Sequence, residues 1–159
     1  MSDNLLWYFS QDLYGRSGVA PACLALQDEA GADVNLVLYL LWCARTGRRV
    51  DAAAIHAADA GIAAWRAAVV EPLRAVRRAL KAEPLAGFAS VAYRDRIKAV
   101  ELEAERVVQD ALFAGAPSPG AEFDRHAAAR GSLRHYADLL GRPLPEAATR
   151  TVLDAFADL

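Results

Sequence analysis

Nine consecutive residues, Leu36 to Ala44, are apolar and include Tyr39, Trp42 and Cys43. At 3.6 residues per turn, nine positions sweep past every side of a helix, so a helix here has no face to give to water. The run is too short to cross a bilayer, which takes about 20 residues. It must therefore be walled in on all sides by the rest of the chain. Composition makes the walls helical. The sequence holds 36 Ala and 20 Leu against 12 Val, 3 Ile and 3 Thr, and Ala and Leu favour helices where β-branched residues favour strands. The expectation is an all-α, single-domain bundle of about six or seven helices around a buried central helix over 33–46. A chain of 159 residues is long enough to build such a core, burying roughly 68–70% of its unfolded surface.

Punctuation divides the chain. Residues 2–14 read as a helix capped by Ser2 or Asp3, with Leu5, Leu6, Phe9 and Leu13 on one face. Residues 19–30 make a second helix, with Pro21 in its first turn and Gly31 supplying a left-handed end. Asp33 caps the central helix and Gly47 ends it. Residues 51–82 form a long helix capped by Asp51, in which Ile55, Ile62, Val69 and Val76 recur every seven. Pro72 sits inside it and should kink it near 68–72, since proline removes a backbone N–H and crowds the preceding turn. Residues 90–113, with Ser90 as cap, present Ile97, Val100, Ala104, Val107 and Ala111, and should close a long kinked antiparallel hairpin, 51–82 against 90–113. A helix over 121–140, bent or split at Gly131, and a short one over 146–158 complete the chain; 117–159 reads as a loosely docked C-terminal appendage. Cys23 and Cys43 read as buried free thiols. The start, Met1-Ser2-Asp3-Asn4, lacks a basic flank and cleavage pattern, and with no membrane span in the sequence a cytoplasmic protein is expected.

Charge is uneven. Residues 66–98 hold eight Lys and Arg against three acids. In the hairpin, Arg74, Arg77, Arg78, Lys81, Arg94, Arg96 and Lys98 gather toward one tip, with Arg66 further along. Such a patch suits phosphates, anionic lipid or an acidic protein surface. Against that stands a solvated face, partly neutralised by Glu101, Glu103 and Glu105, where Glu101 and Glu105 read as surface carboxylates.

Catalytic patterns do not stand out. His56, His126 and His135 have no partners at metal-ligand spacing, and no nucleophile elbow or phosphate-binding loop is present, so neither metal nor cofactor is expected and the reading leans away from an enzyme. The most suggestive polar set is Gln27, Asp28, Glu29, Asp33 and Asn35 at one turn. As structure, it caps the buried helix and pairs with an arginine such as Arg66; as function, it lines a pocket for a polar ligand or a hard metal ion. The aromatic residues Trp7, Tyr8, Phe9, Tyr14, Tyr39, Trp42 and Trp65 read as core.

Residues 26–36, Leu-Gln-Asp-Glu-Ala-Gly-Ala-Asp-Val-Asn-Leu, are distinctive. With Trp7-Tyr8-Phe9, Leu13-Tyr14, Gly18-Val19, Ala22-Cys23-Leu24, Trp42, Trp65-Arg66, Val69, Pro72-Leu73-Arg74, Arg77-Arg78, Leu80-Lys81 and the stretch Lys98 to Glu105, the chain resembles the uncharacterised proteobacterial DUF2390 family over about residues 5–112. The resemblance implies a small bacterial cytoplasmic protein and brings no activity or site residue with it. Three functional readings follow. The first is an interaction module that binds an acidic protein surface or RNA backbone through the basic tip. The second is a small-ligand-binding or enzymatic protein with its site at Gln27, Asp28, Asp33, Asn35 and Arg66. The third is a homodimer paired through the hairpin.

Overall fold

The computed structural model describes residues 3–87, 90–120 and 123–159, and those residues contain helices and no strands. The elements are α1 (Leu5–Tyr14), α2 (Val19–Ala30), α3 (Val34–Arg45), α4 (Ala52–Trp65), α5 (Glu71–Ala79), α6 (Val91–Ala114), α7 (Arg125–Leu140) and α8 (Glu146–Ala157). A π-helical turn, Arg66–Val70, joins α4 to α5 without a break, and a 3₁₀ turn, Leu80–Ala82, ends the long helix. No helix among the described residues is long and apolar enough to cross a membrane.

α3 is the centre. Every residue from Asn35 to Ala44 is buried. Asp33 caps it, its carboxylate accepting from the backbone N–H groups of Asn35 and Leu36. α1 and α2 cover one part of α3 and α6 and α7 another; α8 lies on α2. Trp42 is fully enclosed, with the Phe113 ring 5.4 Å away and the Arg48 guanidinium stacked 4.5 Å over its indole. α7 and α8 add Leu133, Tyr136, Val152 and Phe156 to the same continuous core.

Local chemistry explains where the elements begin. α1 starts at Leu5 because Asn4, rather than Asp3, accepts from the Trp7 N–H; Ser2 lies outside the described residues. Gly18 and Gly31 take left-handed φ values of 79° and 70° at the two ends of α2, where a side chain would be strained. α7 starts at Arg125, capped by Asp124, and runs unbroken through Gly131, so no bend develops there. Ser90 stands at the head of α6 without capping it; its hydroxyl instead donates to the Leu80 carbonyl, 3.1 Å away, across the hairpin.

Pro72 has the expected effect in a specific form. It carries no N–H for the residue 68 carbonyl, and its ring crowds that carbonyl. The chain relaxes into a π turn, with the Glu71 N–H bonded back to the Arg66 carbonyl. The extra residue shifts the buried face. Ile55 and Ile62 are buried, but the next fully buried position is Val70 rather than Val69, and Val76 is 43% exposed. From Glu71 to Ala79 nothing is buried. On α6 Ala104 is buried as expected, but its buried neighbours are Glu101, Val108 and Leu112, each one residue on from the expected Val100, Val107 and Ala111, and Val100 and Val107 face out. The aromatic set divides too, with Tyr39 and Trp42 buried and Tyr8, Tyr14 and Trp65 substantially exposed.

Cys23 and Cys43 are buried free thiols, and burial pushes them up to about 11 and about 12 from an ordinary 9.0. Neither should react with a disulfide reagent at pH 8 in the folded protein, and both should react once denaturant is added. Because these values are raised on folding, the stability they contribute is whole below 9.0 and declines as pH climbs toward about 11 and 12. Urea titrations across that range should show the decline, and Cys→Ala at both sites should reduce it, leaving the part due to the buried Tyr39 and Tyr136 hydroxyls, which burial also raises above 10.0.

Candidate functional site

The turn between α2 and α3 organises the first cluster. One Asp33 carboxylate oxygen takes the Asn35 N–H at 2.8 Å; the other lies 3.2 Å from the Arg66 guanidinium. The Asp33 backbone N–H donates to the Tyr136 hydroxyl at 2.8 Å. Arg66, the first residue of the π turn, also holds Asp59 at 2.8 Å. Burial works against its charge, but the hydrogen bond to Asp59 and the field of Asp33 prevail, so its affinity for the proton rises. Asn35 accepts from the Gln109 amide at 3.0 Å; Gln109 is only 3% exposed, and its carbonyl oxygen has no partner among the described residues. Asp33, Asn35 and Arg66 therefore converge. Gln27 and Asp28 belong to a separate exposed group: Gln27 donates to Asp28 at 3.3 Å, and Asp28 pairs with Arg78 at 3.0 Å. The hydrogen bond from Arg78 holds the Asp28 carboxyl below its ordinary value.

The second cluster is the hairpin. Arg74 reaches Glu101 at 3.3 Å and Glu105 at 3.0 Å, and Arg77 holds Glu101 from the next turn. Glu101 is 5% exposed, so it is an interior carboxylate between two guanidiniums and not a surface one. Its hydrogen bond raises the proton affinity of Arg77. Burial lifts the Glu105 carboxyl above its ordinary value against the pull of Arg74. Three of the seven tip cations, Arg74, Arg77 and Arg78, are thus committed to carboxylates of the same chain. Lys81, Arg94, Arg96 and Lys98 make no ion pair among the described residues.

The sequence reading missed Leu85, Val91 and Tyr93 beside those four cations and placed Val100 and Val107 on the buried seam. Leu85 is 66% and Val91 67% exposed, and Tyr93, Val100 and Val107 are open as well. The last three recur every seven residues, which is the signal of a second apolar line on α6. Cavities lie between α7 and α8, between α4 and α6 beside Tyr39, and around Arg45, Gly47 and Phe123; none of these is lined by the Asp33 cluster. Among the described residues no group of three His, Cys, Asp or Glu side chains is placed to hold a metal ion.

Asp33→Ala removes the cap of a buried helix and one partner of Arg66. The loss should be about 2–4 kcal/mol, read from urea midpoints. Glu101→Gln leaves two half-buried guanidiniums short of a carboxylate and should cost about 2 kcal/mol or more, whereas Glu103→Gln, at an exposed site one turn from Val107, should change stability by no more than about 0.5 kcal/mol.

No curated protein and no solved structure matches the chain. A family model described as a protein of unknown function (DUF2390) matches residues 5–112, which takes in Asp33, Asn35, Asp59, Arg66 and Gln109 but not Tyr136, and the hairpin up to the last two residues of α6. The chain belongs to that family.

Proposed function

We propose that this chain is an interaction module that docks an acidic protein surface on the outer half of its hairpin. One observation carries the reading: between residues 71 and 100 the only buried side chain among the described residues is Ser90. α5 and the first part of α6 pack chiefly on each other; beyond Leu73, which rests on the core, and Arg78, which reaches Asp28 of α2, their outer faces are open. Their exposed side chains include Leu85, Val91, Tyr93 and Val100, with Lys81, Arg96 and Lys98 and the partly exposed Arg94 among them. An apolar and aromatic centre with a charged surround is the composition of a protein interface, where the apolar anchors supply affinity and the charges steer approach. Four cations against Glu83 and Asp95 favour an acidic partner. The apolar content favours protein over RNA backbone, which would be held by cations alone. The Asp33 cluster supports a structural role: its groups are engaged with each other, and they brace the buried end of α3.

A photo-crosslinking residue at Val91 tests this, with the same residue at Ala147 on α8 as control. In cells, Val91 should capture a discrete protein through an acidic segment, Ala147 should not, and K81E/R96E/K98E should abolish capture with the melting temperature unchanged. Reversal of Arg74 and Arg77 is not the right probe, since those residues hold the hairpin together. An adduct twice the mass of this chain means a homodimer, and a nuclease-sensitive adduct means RNA. Either result, or none at Val91, overturns the proposal.

A further inference from the structure

α7 packs against α3 and α4, whereas α8 packs chiefly on α2. Their different partners hold the two helices apart along their facing sides and leave a cleft of about 590 Å³ between them. That lies within the roughly 300–1,000 Å³ of small-ligand pockets. Leu133, Leu144 and Leu153 form its apolar floor, and Arg130, Arg134 and Arg150 line it with charge. At one end the His126 ring, from the start of α7, lies 5.8 Å from the Phe156 ring, near the end of α8.

The arginines are not equivalent. Arg150 has an acid of its own helix, Glu146, at 2.5 Å. Arg130 and Arg134 have none: neither makes an ion pair among the described residues, and Asp154, which also lines the cleft, is bonded to neither. They sit one turn apart on one face of α7, a spacing at which like charges repel and weaken a helix. An anion between them would remove that repulsion, and paired guanidinium forks fit a carboxylate or phosphate through parallel charge-assisted hydrogen bonds. The leucine floor beneath requires an apolar body on the same molecule. A simple anion would leave the floor wet, and a neutral hydrocarbon would leave both guanidiniums unpaired. We infer that the α7–α8 cleft binds a small anionic amphiphile, with a carboxylate or phosphate head at Arg130 and Arg134 and a hydrocarbon tail along Leu133, Leu144 and Leu153. This site is separate from the hairpin surface and stands or falls independently of it.

Dodecanoate and dodecyl phosphate, titrated below their micelle concentrations into ¹⁵N-labelled full-length protein, test this directly. Saturable amide shifts are expected around Leu133 and Leu153 and not at the hairpin tip. The stronger of the two ligands identifies the head group. R130Q/R134Q should weaken binding about tenfold or more, the scale of a lost charge-assisted contact. Both side chains are exposed, so the variant should keep the wild-type melting temperature. Leu153→Gln should weaken the same ligands, and dodecyltrimethylammonium should produce no saturable shift. Absence of shifts in the cleft, equal affinity in R130Q/R134Q, or equal binding of the cationic amphiphile would each overturn the assignment.

Discussion

A helix with no polar face is the constraint from which the rest follows. α3 can be kept from water only if other helices surround it, and its first turn must then be buried as well. The first N–H groups of any helix lack partners within it, and burying them unpaired is costly. Asp33 resolves this with one carboxylate, while its own N–H goes to Tyr136 on α7. The carboxylate is then a charge at the edge of the core, which Arg66 neutralises; Arg66 in turn takes Asp59. The polar cluster that looks like a binding site in the sequence is thus what a buried helix end requires, and it ties α3 to the π turn and to α7 at once.

The hairpin follows from Pro72 in the same stepwise way. One additional residue in a helical turn rotates everything beyond it by about 100°. α4 points its apolar stripe at the core, and after the π turn the continuation of that stripe no longer does. Beyond Val70 no side chain of α5 is fully buried, and α6 is its main neighbour, with Leu73 still on the core and Arg78 on Asp28 of α2. Arg74 and Arg77 then lie along α6, where Glu101 sits between them. Buried ion pairs add little net stability over a well-packed apolar contact, but removing one partner is expensive. Here they tie α5 to α6 at two successive turns.

This history explains what the sequence disclosed. Features set by neighbours along the chain were legible: the burial of Leu36–Ala44, the left-handed Gly31, the caps at Asp33 and Asp51, and the distortion before Pro72. Features set by a residue from another helix were not. The expected seam on α6 ran through Val100 and Val107 because Glu101 is polar, and a glutamate becomes an interior residue only when two arginines arrive from α5. Counting charge along the chain assembled seven cations at the tip and offered Glu101, Glu103 and Glu105 as partners, but it could not tell that Glu101 is interior, that Glu103 pairs with none of the seven, or that Asp28 of α2 holds Arg78. The cleft beside α7 was hidden for a further reason: its width comes from α7 and α8 choosing different partners, which is a property of packing and not of either helix.

The division of the cations has a functional meaning. A charge already paired within the chain is held in place and screened, so it lends rigidity and little long-range attraction. An unpaired charge on a protruding arm attracts over about a Debye length, roughly 8 Å at physiological ionic strength. The paired arginines lie toward the base of the arm and the free cations toward its tip, so a stiff support carries an attractive end. That support and that end both lie within residues 5–112, the span shared with the family, whereas the cleft is built by helices beyond it. A role for the arm is therefore open to every member that fits the family model. A ligand in the cleft would depend on the segment that follows, and would give this chain a property the shared span does not require.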